Sequence, residues 1–276
     1  MIATQAVADA QVLARKARAH AVRMVSRAKA SHIGTCLSMA DMLGVLYGGG
    51  VLRVRPDEPH WPERDRFILS KGHGAAILYA ILAERGFIGT DELATYCAPG
   101  SRLLGHANHH VPGIELSTGS LGHGLPVACG LALAGKRGGS GYRVFVILSD
   151  GELDEGSNWE AILFAAHHKL HNLTVLVDWN KIQSFGRVSE VLNLDPLPAK
   201  WQAFGWNVLD VDGHNHQQLI ESLQAGADSE GRPTVLLCNT VKGKGVSFMQ
   251  DELAWHYKSP NEEQLRQALA ELEPGN

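Results

Sequence analysis

The chain has 276 residues, 45% of them hydrophobic and 20% charged, and 25 Lys+Arg against 29 Asp+Glu give a formal charge of −4. This is the composition of a folded globular chain, and its slight acidic balance excludes a cationic nucleic-acid binder. No apolar run approaches the ~20 residues that span a bilayer, and residues 1–9 lack a basic segment followed by an apolar stretch. Cys36, Cys97, Cys129 and Cys238 are scattered without paired metal spacing, so the expectation is a cytosolic protein with reduced thiols.

Length alone permits one large domain or two small ones. Over 7–30, apolar and Ala positions recur at helical spacing with Arg and Lys between them, which predicts an amphipathic helix broken by Ser31-His32-Ile33-Gly34-Thr35. Ser38, followed three residues later by Asp41, predicts the cap of a second helix reaching Leu46. Residues 47–62, with Gly48, Gly49, Gly50 and three prolines, read as a flexible loop. A short strand over 66–70 ends in Lys71-Gly72-His73-Gly74, and 75–85 is helical. The stretch 99–126 is rich in Gly and His and has little periodicity, and a loop that long is usually functional.

A small-residue helix is expected over 127–134, and the clearest pattern follows it. Strands over 143–148, 173–177, 207–211 and 234–238 alternate with helices over 158–168, 196–204 and 217–225, and a charged surface helix closes the chain over 261–272. This alternation predicts an α/β fold, a parallel sheet with helices on both faces.

In such a sheet, ligands bind outside the carboxyl ends of the strands. One strand ends in Ser149-Asp150-Gly151-Glu152 and the next in Asp178-Trp179-Asn180-Lys181-Ile182, so neighbouring strands would bring Asp150 and Asn180 to one edge. A carboxylate, an amide oxygen and a main-chain carbonyl form a hard oxygen set suited to Mg²⁺ or Ca²⁺. Three protein oxygens leave an octahedral shell open, and Mg²⁺ sites recruit phosphate oxygens and water to complete it. Gly151 would let backbone amides approach that phosphate, and the following helix offers its positive end. Asp150 alone could be a helix cap; the pair with Asn180 is harder to explain in that way.

Asp-Gly-Glu at 150–152 followed by Asn180 resembles the thiamine diphosphate motif of the transketolase family. Further segments resemble the family in order: Ser31-His32-Ile33-Gly34, Leu69-Ser70-Lys71-Gly72-His73-Gly74, Gly105-His106, Thr118-Gly119-Ser120-Leu121-Gly122-His123-Gly124, Val241-Lys242-Gly243-Lys244-Gly245 and Trp255-His256. The resemblance implies a thiamine diphosphate-binding fold over 1–276. It assigns Asp150, Asn180 and the Ile182 carbonyl to a Mg²⁺ (or Ca²⁺) ion. Gly151 and Glu152 of the motif fall with the cofactor contacts, and Gly119, Ser120 and Leu121 match a loop that packs on the cofactor. His73, Lys242 and His256 match residues at the diphosphate or the substrate channel. His32 and His106 match channel histidines that bind sugar hydroxyls and assist proton transfer, a task suited to imidazole. Glu155 resembles a glutamate through which two thiamine sites face each other across an interface. Ser149 departs from the Gly of many relatives, and His123 from their Gln.

Full-length members of that family are about twice as long and carry a second α/β domain. The resemblance therefore implies the diphosphate-binding half of a split transketolase. A pyrimidine-binding C-terminal subunit would complete it, as α₂β₂, acting on sugar phosphates. Three alternatives stand beside this one: a related enzyme (deoxyxylulose-phosphate-synthase-like, or a transketolase for a modified sugar), a non-catalytic cofactor-binding subunit, and a metal-dependent hydrolase. His109 and His110 read as solvent-facing. His167 and His171 share a helix face but lack the glutamate of a zinc hydrolase motif. His214 and His216 fit a turn and helix cap as well as a site. Trp159 and Trp201 read as core or interface residues.

Overall fold

The computed structural model describes residues 4–226 and 231–274. In chain order the elements are α1 (Thr4–Ala28), α2 (Ile33–Ser38), α3 (Ala40–Gly48), β1 (Arg66–Leu69), α4 (Ala75–Glu84), α5 (Gly124–Arg137), β2 (Val144–Ser149) and α6 (Gly156–His167). They continue with β3 (Leu173–Trp179), α7 (Val188–Val191), α8 (Leu197–Ala203), β4 (Asn207–Asp212), α9 (His216–Gly226), β5 (Thr234–Asn239) and α10 (Glu262–Leu272).

Five apolar runs form five parallel strands in the order β1-β2-β3-β5-β4. Successive side chains on a strand point to opposite faces, and both faces of this sheet are covered. Phe145 and Ile147 of β2 join a core built with α1, α3, α4 and α9, whereas Val144, Val146 and Leu148 join a second core with α5, α6 and α8. Fully burying one such side chain contributes roughly 1.5–3 kcal/mol, so β2, buried along its length, is firmly held. Trp201 lies wholly inside the second core, and Trp159 packs partly buried against it.

Three local expectations change. Ser38 does not cap a helix: it is the last residue of α2, and its hydroxyl donates to Thr35 O and to Asp178 Oδ2. Its proton goes to a distant strand, and Met39, not Ser38, stands at the N-cap of α3. Gly48 belongs to α3 rather than to a loop, and its missing side chain lets α3 pack tightly on α1, since a Cβ there would stand 3.2 Å from Ala10 Cα. α5 begins three residues earlier than its periodicity suggested, with Pro126 in the first turn, where its missing N–H costs nothing. α10 carries a full capping box between Asn261 and Gln264.

Candidate active site at the carboxyl edge of the sheet

β2 and β3 pair in register, Ser149 opposite Asp178, so the residues just beyond each strand emerge side by side. Asp150 reaches across the gap: its Oδ2 accepts from the Lys181 amide at 2.6 Å and its Oδ1 from the Gly151 amide at 2.8 Å. Lys181 holds a left-handed φ of 67°. Asn180 Oδ1 accepts from the Ile182 amide at 3.1 Å. A Cβ on Gly151 would lie 2.7 Å from Gln183 Cβ, so only glycine lets the two segments close up.

A cavity of 340 Å³ opens on this edge, lined by His32, His73, His106, Gly119, Leu121, Asp150, Gly151, Glu155, Asn180, Ile182, Lys242 and His256, together with Thr35, Ser149, Asp154, Gln183, Ser184 and Phe185. The imidazoles form a tight cluster. His32 lies 5.2 Å from His73, 6.0 Å from His106 and 5.2 Å from His256, and His73 lies 5.9 Å from His256 (ring centroids). His32 keeps a φ of 76°, strained for a residue with a Cβ, and its amide is anchored on His256 O at 2.9 Å. The His106 loop is tied to the His73 turn by the Ala107 amide on Gly72 O.

Burial sets the electrostatics. It pushes His32 down to about 4 and His256 down to about 3, with Lys242 adding to both shifts, and it holds His73 well below the usual imidazole range. These rings are therefore uncharged at neutral pH, each with one N–H to give and one nitrogen to accept. Lys242 is 1% exposed; burial lowers it to about 8, and Lys71 works in the same direction against the carboxylates of Asp150 and Asp178. Its Nζ donates to Ile182 O at 2.7 Å and sits 3.0 Å from His256 Nδ1, which leaves the ring proton of His256 on Nε2. Burial raises Asp150 to about 6, with the charge of Asp178 adding to the effect.

Glu152 and Ser120 do not line the cavity. Glu152 is fully buried beneath it, and its Oε1 accepts from Ser70 Oγ and the Gly122 amide while Oε2 accepts from the Ser149 amide. The expected cofactor contact at 152 is thus a brace between the 119–122 loop and the β2 end, because every nearby donor already claims the carboxylate. Ser120 is exposed, between two residues that do line the cavity. Glu155 stands exposed on the cavity rim, open to solvent.

Sequence reasoning missed a buried ion pair that does not line the cavity. Lys71 and Asp178, both completely buried, form an ion pair, and Asp178 also accepts from Ser38 and Thr240 hydroxyls. Burial raises the Asp178 carboxyl, but Lys71 and the two hydroxyls outweigh it and hold the group below its ordinary value. The signal was available in part, since Lys71 follows a strand and precedes His73, and Asp178 lies two residues before Asn180.

The donor set fits a hard divalent cation. Asp150 offers one carboxylate, and Asn180 and Ile182 offer neutral oxygens on the same edge; Asp150 is buried with no direct ion pair among the described residues. Among the described residues no group of three or more His, Cys, Asp or Glu side chains could hold a metal ion. No helix among the described residues is long and apolar enough to cross a membrane.

Residues 9–272 match the family model described as transketolase, thiamine diphosphate binding domain. The chain belongs to the transketolase family. It is similar to one of the subunits of the apulose-4-phosphate transketolase of Actinobacillus succinogenes, 46% identical over 242 residues and covering 87% of each chain. The 6-deoxy-6-sulfo-D-fructose transketolase subunit SqwG of a Clostridium species is 40% identical over 266 residues, 96% of each chain. Among solved structures, transketolase from Leishmania mexicana superposes with a TM-score of 0.89 at 32% identity, covering 95% of this chain and 41% of that one. Transketolase of Pichia stipitis in complex with sedoheptulose-7-phosphate gives 0.91 at 28% identity, covering 97% and 41%. The chain therefore spans about two fifths of the length of those transketolases and nearly all of the separate subunits. Membership places it in a family of transferases that bind thiamine diphosphate, and the names of three of its shorter relatives, which call them subunits, imply a second chain for those relatives.

Proposed function

We propose that this chain is the diphosphate-binding subunit of a two-chain, thiamine diphosphate- and Mg²⁺-dependent transketolase. In this reading it works in the cytosol and moves a two-carbon ketol unit from a ketose to an aldose only when joined by a pyrimidine-binding subunit, as α₂β₂. One observation carries the proposal: an oxygen-donor pair at two adjoining strand ends and four clustered imidazoles line a single cavity.

Asp150, Asn180 and the Ile182 carbonyl would hold the cation; Lys242, Gly151 and the 119–121 loop would take the diphosphate. Thiamine diphosphate, when bound, supplies the thiazolium carbon that stabilises carbanion character on the transferred unit. His32, His73, His106 and His256 bind sugar hydroxyls, hold them against the reacting carbon, and carry protons between oxygens. An anion beside Lys242 offsets positive charge that depresses His32 and His256, which brings them toward the range where imidazole exchanges protons well.

Within this reading a modified-sugar donor or acceptor is favoured over an ordinary pentose phosphate, because three of the subunit-length relatives are named for apulose-4-phosphate or 6-deoxy-6-sulfo-D-fructose. A non-catalytic subunit would have had no reason to keep four imidazoles clustered on one cavity, His32 among them at a strained backbone. The test mixes the chain with a candidate pyrimidine-binding subunit, Mg²⁺ and thiamine diphosphate, and follows two-carbon transfer between ketose and aldose substrates. Transfer that requires both chains supports the proposal; transfer by either chain alone, or by neither with any substrate pair, contradicts it.

A further inference from the structure

A second buried polar network lies outside the cavity lining. Arg18 of α1 forks onto Asp41 of α3, Nη1 to Oδ1 at 2.9 Å and Nη2 to Oδ2 at 2.6 Å, and also donates to Leu37 O. His214 Nδ1 lies 2.7 Å from Asp41 Oδ2, and His216 Nε2 lies 3.2 Å from Oδ1. Burial opposes ionisation of Asp41, but Arg18 and then the two histidines outweigh it and hold the carboxyl well below its usual range.

The other ring nitrogen of His214 gives this network a direction. The Val241 amide donates to Nε2 at 2.8 Å, and a backbone N–H can only donate, so the ring proton sits on Nδ1 and goes to Asp41. β5 ends at Asn239, so Val241 is past the ladder that would otherwise fix it. The turn holding His214 is pressed onto that strand end: the Gly213 amide donates to Asn239 O at 2.8 Å, and a Cβ on Gly213 would stand 2.4 Å from Thr240 Cγ2. The next residue is Lys242, whose ammonium bonds Ile182 O and whose carbonyl accepts from the Asp251 amide.

We propose that His214 is a positioning residue for Lys242, fastening the loop beyond β5 to the buried Arg18–Asp41 pair so that the ammonium is delivered into the cavity; the proposal rests on Lys242 being a diphosphate contact. A long side chain buried in one conformation is only as well placed as its backbone, and misplacement by about 1 Å is costly at a site. A turn-and-cap role explains the Asp212 and Asn215 contacts of this segment, but not a ring nitrogen spent on an amide 27 residues away.

The test compares the full chain with His214→Phe, which keeps ring volume and loses both bonds, and His214→Gln, whose amide oxygen and nitrogen can replace both. Hydrogen exchange at the Val241 and Lys242 amides reads the fastening with no ligand present. Exchange in the Phe variant should be ~10-fold or more faster relative to the amides of β5, and near wild type for Gln. Calorimetry with Mg²⁺ and pyrophosphate, repeated with thiamine diphosphate, should show about tenfold weaker binding for Phe and affinity within about threefold for Gln. Unchanged exchange, or faster exchange with unchanged affinity, overturns the proposal whatever happens to Tm. If the Phe variant does not fold, nitrogen NMR of wild type decides instead: a proton on His214 Nε2 at neutral pH overturns it, and a bare Nε2 supports it. Failure of wild type to bind either ligand removes the functional reading of the cavity, while exchange still judges His214.

Discussion

Asp178 and Asp150 end neighbouring strands, and both are essentially buried, yet their surroundings treat their charge in opposite ways. Asp178 meets Lys71, Ser38 and Thr240, and is held ionised. Asp150 receives only two backbone amides and is pushed up to about 6. One carboxylate is neutralised by a direct ion pair; the other, among the described residues, has none. A single sheet edge thus separates stability from readiness to bind, which is the expected signature of a site that must accept charge from a ligand.

Removing the cation from the satisfied side should have the largest effect. Lys71→Met leaves Asp178 buried and unpaired, at a cost of about 3–5 kcal/mol in denaturant unfolding. A loss below about 1 kcal/mol would erase the contrast between the two carboxylates. On the other side, Asp150→Ala should leave the fold intact but weaken Mg²⁺-dependent thiamine diphosphate binding by on the order of 100-fold or more, read by calorimetry. Equal affinity in that variant would refute the cation assignment.

The two residues also differ in what pH does to them. The folded-state value of Asp150, about 6, lies above its ordinary 3.8, so between these values the folded chain binds more protons than the unfolded one. Its contribution to the stability of the ligand-free chain is therefore most favourable at low pH and is lost as pH rises through about 6. His32, lowered from 6.5 to about 4, contributes in the opposite sense, with stability lost as pH falls from about 6.5 to 4. Scans of Tm against pH in Asp150→Asn and His32→Asn should show slope changes of opposite sign in that window. Changes of the same sign would mean that one of the two environments is misread. The smallest effect is expected from Glu152→Gln, which keeps the shape of the brace and weakens its bonds to Ser70 and Gly122, at a cost of about 1–2 kcal/mol in unfolding.

The sequence was most readable where chemistry and periodicity are local. The runs at 144–148 and 173–177 could only be buried strands, and Asp150 and Asn180 follow them directly. Long-range pairing was not readable. Lys71 and Asp178 are 107 residues apart, and nothing in either segment states that they meet. Ser38 illustrates the same limit, since a serine before a helical run reads as a cap until a buried aspartate takes its hydroxyl. His214 had two local explanations and gained its third partner only through the adjacency of β4 and β5. Glu152 sits in the motif, but its orientation depends on Gly122 and Ser70, which only the fold brings together.

The most direct measurement replaces Mg²⁺ with Mn²⁺ in crystals of the chain with thiamine diphosphate and locates the cation by its anomalous scattering. One strong peak is expected within about 2.0–2.3 Å of an Asp150 carboxylate oxygen, Asn180 Oδ1 and the Ile182 carbonyl oxygen, with diphosphate oxygens and water completing its octahedral shell. A cation held elsewhere, or a bound cofactor with no cation between these strand ends, would contradict the assignment.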